Sequence, residues 1–136
     1  DLYNILGLNY FFSMNLVERR HFPRVETDYV TVEVYKPGIH PSETEVEEIC
    51  PVLNLSETGM KFRAEQNFKN GQLLKLTFVL PDSMVVIRTD AIIIYISQKK
   101  DKNFMDIGVQ FKNIGLTERK LISHFIAKKI SETNQC

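Results

Sequence analysis

The chain has 136 residues, 43% hydrophobic and 25% charged, which suits one folded domain and is too short for two ordinary ones. Its 17 Lys and Arg balance 17 Asp and Glu, giving a formal net charge of zero. A general DNA or RNA binder would carry a positive balance, so anion recognition here has to rest on a few placed arginines.

Residues 1–15 read as an N-terminal segment or linker from an upstream region. Leu2 to Phe12 is apolar, but it lacks the basic flank and small-residue cleavage site of a signal peptide. No stretch reaches the ~18 apolar residues needed to span a bilayer. Cys50 and Cys136 fit no metal spacing. They read as free thiols, which makes the cytoplasm the expected compartment.

Residues 16–136 read as one domain. Glu18 to Thr27 is polar and arginine-rich, and Tyr29 to Tyr35 is β-branched and aromatic, the composition of a strand. A second strand is expected over 44–53, with Val46, Ile49 and Val52 turned to the core and Pro51 marking an edge or bulge. Asn54 to Gly59 carries turn chemistry. Met60, Phe62 and Ala64 then alternate with Lys61, Arg63 and Glu65, a strand with one wet face. Asn70-Gly71 is a turn signal. Leu74 to Leu80 alternates, Val85 to Ile96 is a long β-branched run, Lys99 to Asn103 is a charged hairpin tip, and Phe104 to Phe111 closes the series.

The ending is helical, over about 117–131. Thr117 is the expected cap, and Leu116 and Leu121 stand at hydrophobic-staple positions. Leu121, Ile122, Phe125, Ile126 and Ile130 form one stripe. Six strands before one helix, with no βαβ alternation, predict a mainly β fold: a six-stranded antiparallel barrel with a C-terminal helix.

Chemistry concentrates in two places. Glu18-Arg19-Arg20-His21-Phe22-Pro23-Arg24 sets three arginines within six residues, and Pro23 keeps the stretch from becoming a simple helix. A guanidinium presents five donors in a planar fork. It suits phosphate oxygens and the O6/N7 edge of guanine, and it stacks on a flat base. Asn54-x-Ser56-x-x-Gly59 offers an amide, a hydroxyl and a residue that lets backbone come close, while Leu55 points the other way. Either string alone reads as an ordinary surface run or turn.

Together, Arg20-x-x-x-Arg24 followed by Asn54-x-Ser56-x-x-Gly59 resembles the two-part signature of the PilZ domain family. The late Ile107-Gly108-Val109-Gln110-Phe111 strand and the helix after it resemble the ending of that barrel. The resemblance runs from about Glu18 to Ile130. It implies a split barrel and a bacterial, non-enzymatic receptor for cyclic di-GMP. Arg20, Arg24, Asn54, Ser56 and Gly59 would clamp the ligand. Arg19 holds the position that the family associates with stacking on a second, intercalated ligand, which favours two molecules per site. Ordering of residues 16–26 on binding would carry a signal to a partner protein or neighbouring domain, in a monomer or homodimer. Lys61, on the adjoining strand, is expected to contribute little.

Other classes fit less well. His21, His40 and His124 are far apart in sequence, and no nucleophile elbow, zinc motif or Walker loop is present, so no catalytic, metal or cofactor site is expected. A ligand-independent PilZ-type adaptor would lack the arginine motif. A binder of single-stranded nucleic acid would carry a basic, aromatic-lined face.

Overall fold

In the computed structural model, residues 23–27, 30–37 and 46–133 are described. Among them, alternating apolar residues build seven strands, and the stripe at helical spacing builds one helix. The strands are β1 (Val25–Glu26), β2 (Thr31–Tyr35), β3 (Val46–Ser56), β4 (Gly59–Ala64), β5 (Leu73–Leu80), β6 (Val85–Gln98) and β7 (Met105–Lys112). The helix, α1, is Leu116–Thr133. The order across the sheet is β1-β3-β2-β5-β6-β7-β4, and β4 pairs back onto β3. Strands β2 to β7 thus close into the expected six-stranded antiparallel barrel, with the two-residue β1 added along β3.

The closure depends on β3 changing partners. Its first half pairs with β2, from Tyr35↔Val46 to Thr31↔Pro51. Its second half pairs with β4, from Val52↔Phe62 to Ser56↔Gly59. Pro51 stands at the hand-over, a position that tolerates a missing N–H. The register against β4 slips between Val52 and Asn54. This bulge resets which side chains point inward: Cys50 and Val52 are buried before it and Leu55 after it.

The expected core of this strand is corrected accordingly. Val52 is buried, but Val46 is 43% and Ile49 62% exposed. Ile49 pairs with Glu33 on the outer wall, and Cys50 takes the inward place.

Elsewhere alternation is obeyed. Leu74, Leu76, Phe78 and Leu80 of β5 all face in, and Phe78 stacks on Phe111 with ring centroids 6.1 Å apart. Ile122, Phe125 and Ile126 bury the face of α1, with Leu121 and Ile130 packed at its margins. The helix lies against β3 and β1. It begins one residue before the expected cap. The Gly115 carbonyl accepts the Arg119 N–H at 2.9 Å, and the Glu118 carboxylate folds back over Gly115, as an acidic residue at the third helical position does. Leu116 is 68% exposed, so it does not staple to Leu121. Among the described residues, no helix is long and apolar enough to cross a membrane.

Candidate functional site

The second half of β3 is flanked on both sides, by β4 and by β1. Val25 pairs with Leu55, and Glu26 with Asn54. Continuing that register by one residue sets the exposed Arg24 opposite Ser56. Arg24, the last residue of the arginine string, is thereby brought beside a string that begins thirty residues farther on.

The two polar residues of β3 differ in their surroundings. Ser56 is 1% exposed, and its hydroxyl is occupied within the turn. Ser56 Oγ accepts from the N–H groups of Thr58 (3.3 Å) and Gly59 (3.2 Å), and it lies 3.3 Å from both the Gly59 carbonyl and Thr58 Oγ1. Ser56 thus braces the β3–β4 turn. Asn54 Oδ1 is buried and, among the described residues, has no hydrogen-bond partner. A buried amide oxygen in this state favours any donor that reaches it.

Gly59 has an internal reason to be glycine. A Cβ there would run into the carbonyl oxygen of Val109 and come within 3.2 Å of its carbon. The close approach that this glycine permits is to the backbone of β7. The turn is also tied to the helix, because Arg119 Nε donates to Glu57 Oε1 at 2.9 Å. Pro23 and Glu57 line a hollow of about 300 Å³ beneath α1.

Arg24 lines a second hollow, of about 270 Å³, on the outer wall with Lys61, Ile94, Tyr95 and Gly108. Sequence reading expected little of Lys61 and did not single out Tyr95. Lys61 looked like any residue on a wet face, and only barrel closure sets it beside Arg24. Arg63, two residues on, is committed elsewhere. Its Nε donates to Asp106 at 2.9 Å, which raises the guanidinium pKa further, and the group lies 4.2 Å from the centre of the Phe104 ring.

Arg19, Arg20, His21 and His40 lie outside the described residues. His124 is exposed on α1. Among the described residues, no cluster of three or more His, Cys, Asp or Glu could hold a metal ion.

A family model described as PilZ domain matches residues 18–128. Three solved structures illustrate the likeness of fold. The Bacillus subtilis inhibitor of motility, MotI/DgrA, aligns with a TM-score of 0.67 at 20% identity, over 85% of this chain and 53% of that one. YcgR of Escherichia coli, in complex with c-di-GMP, aligns at 0.67 and 18% identity, over 88% of this chain and 49% of that one. The PilZ domain of YcgR with c-di-GMP aligns at 0.63 and 17% identity, over 87% of this chain and 96% of that one. The chain thus spans about half the length of MotI/DgrA and of YcgR. None of the curated proteins compared with the chain matches it.

Proposed function

The chain belongs to the PilZ domain family, and on that premise we propose that it is a non-enzymatic receptor for cyclic di-GMP. The observation that carries this reading is the buried Oδ1 of Asn54, which has no partner among the described residues, beside the strand that Arg24 leads into. Guanine carries N–H donors, including the N2 amino group, that an amide oxygen can accept. Arginine supplies a fork for O6 and N7 and a permanent charge for phosphate. Adenine has an amino donor in place of O6, which opposes the fork. The similarity to YcgR solved with c-di-GMP supports the same ligand here.

In this reading, Arg20 and Arg24 bind phosphate and guanine, and Asn54 reads the base. Ser56 and Gly59 fix the turn that presents Asn54. Arg19 stacks on a second, intercalated ligand, giving two molecules per site. Binding acts on the arginine-bearing segment, residues 16–26, whose described end is already paired along β3 as β1. Because Pro23 borders the hollow under α1, the change is felt by the helix and passed to a neighbouring domain or protein partner, in the cytoplasm of a bacterium.

Titration calorimetry of the whole chain with cyclic di-GMP tests the reading. Saturable heat with a stoichiometry near two, and none with cyclic di-AMP, is expected. No binding of cyclic di-GMP would overturn it.

A further inference from the structure

Leu73 and Ile92 are direct partners on β5 and β6. Ala91 and Ile93 are buried, so Ile92 between them faces the outer wall, and Leu73 beside it is 56% exposed. A bulge adds Ile94. The register against β7 slips between Ile93 and Tyr95, and Ile94 is the extra residue, 58% exposed. Ile92 and Ile94 stand ~7 Å apart along β6. Three aliphatic side chains thus form one ridge on the face that alternation ordinarily gives to polar residues. An exposed apolar cluster with a charged rim marks an interaction surface.

The rim is basic. One row beyond the ridge, Lys75, Asp90 and Lys112 are partners across β5, β6 and β7. The Asp90 carboxylate meets Lys75 Nζ at 3.0 Å, and the exposed Lys112 adds a second ammonium. Exposed Lys69 opens the turn that leads into Leu73, its carbonyl accepting the Gln72 N–H at 3.1 Å. In a chain of formal net charge zero, this is a local surplus of positive charge. The ridge and its rim span three strands, ~10 Å, by four residues of β6, ~13 Å. That footprint is far below the ~800 Å² per partner of a stable dimer, so it fits a short segment and not a second copy of the chain.

We propose that Leu73, Ile92 and Ile94 form a docking ridge for a short acidic segment of a partner protein, one that sets neighbouring aliphatic side chains among Asp or Glu residues. The aliphatic groups cover the ridge, and the carboxylates meet Lys69, Lys75 and Lys112. Apolar burial supplies affinity, while the charges speed encounter and select the partner. Ile94 also borders the hollow that Arg24 lines, so a seated segment abuts the candidate ligand site. Docking itself does not depend on the receptor reading.

A helical peptide of about twelve residues, with leucines four apart and glutamates beside them, is the probe. Titrated into the isotopically labelled whole chain, it is expected to shift the amide signals of Leu73, Ile92 and Ile94 saturably, and more weakly as salt rises. Leu73→Thr and Ile92→Thr should each weaken binding about tenfold. Threonine keeps strand propensity at these outer-wall positions, so thermal unfolding should hold. The same peptide with lysine in place of glutamate should not bind. Absence of saturable shifts at the ridge, or undiminished binding by Ile92→Thr, overturns the proposal. Self-association of the chain alone, or binding to phosphatidylglycerol vesicles, that is lost in Ile92→Thr would assign the ridge to a second copy or to a membrane and overturn it equally.

Discussion

Arg119 Nε and Glu57 Oε1 meet at 2.9 Å, so α1 is pinned to the turn that separates Ser56 from Gly59. Their side chains are 34% and 19% exposed, more sheltered than an ordinary surface pair. A double-mutant cycle of Glu57→Gln and Arg119→Gln, read by urea denaturation, is expected to give a coupling of about 1 kcal/mol. A coupling near zero would mean that the pair is solvated and the helix is held by its apolar face alone.

Arg20→Ala and Arg24→Ala should each cost at least about 1.5 kcal/mol of binding to cyclic di-GMP in calorimetry, because hydrogen bonds to charged groups are worth about 1.5–3 kcal/mol. Lys75→Ala is the control. Lys75 pairs with Asp90 on β5 and β6, and its loss should leave affinity within roughly twofold, since it removes only an exposed pair.

Asn54 and Ser56 belong to one sequence string but should respond oppositely to truncation. Asn54→Ala removes an acceptor that has no partner among the described residues, so stability should hold or rise while affinity falls. Ser56→Ala removes the oxygen on which the turn is built. It should lower stability by about 1–2 kcal/mol and weaken binding as well. Urea denaturation run beside calorimetry separates the two. Equal losses of stability would contradict the assignment.

Gly59→Ala drives a methyl group into the backbone of Val109. No rotamer relieves a backbone collision, so destabilisation of about 3 kcal/mol is expected by urea denaturation. Gly71→Ala is the comparison. Gly71 has a φ of 83° and open space around it, so strain of about 1–2 kcal/mol should be its only cost.

Burial, and then the neighbouring Glu48 carboxylate, push the Cys50 thiol well above its ordinary range. The folded state keeps this thiol protonated at pH values where the unfolded chain ionises it. The stability involved is fully present below the unfolded pKa of about 8.5 and is lost as pH rises toward the folded value. In Cys136→Ala, iodoacetamide at pH 8 should label Cys50 only after urea is added. The urea midpoint should fall between about pH 8 and 10, and Cys50→Ala should flatten that slope.

Period-two alternation made most of the barrel legible. In β5 it assigned every inward residue, and the same reasoning turned Leu55 inward; Ser56 next to it is buried as well, because its hydroxyl is taken up inside the turn. It misassigned Ile49 because β-branched character was weighed above parity. It did not reach the bulges at Leu53 and Ile94, since one extra residue in a ladder leaves no mark in composition. Lys61 and Tyr95 meet only through β7, a juxtaposition that neither strand encodes locally. Thr117 looked like a cap because a hydroxyl is the commoner solution, but Glu118 folding over Gly115 serves instead. The arginine string and the Asn54 string stood out only in combination, through their resemblance to the family signature, and β1 sets the last arginine, Arg24, beside the second string.

Asn54, Lys61, Gly108 and Tyr95 stand side by side across β3, β4, β7 and β6 only because β4 is zipped to β7, a strand some forty residues farther along the chain. A ribosome-bound chain that has released β3 and β4 but not yet Phe111 would hold both signature strings and still lack half of the wall beside Arg24. Responsiveness to the nucleotide should therefore switch on late and abruptly during synthesis, as the last hairpin docks, and a fragment ending before Met105 should be deaf to it.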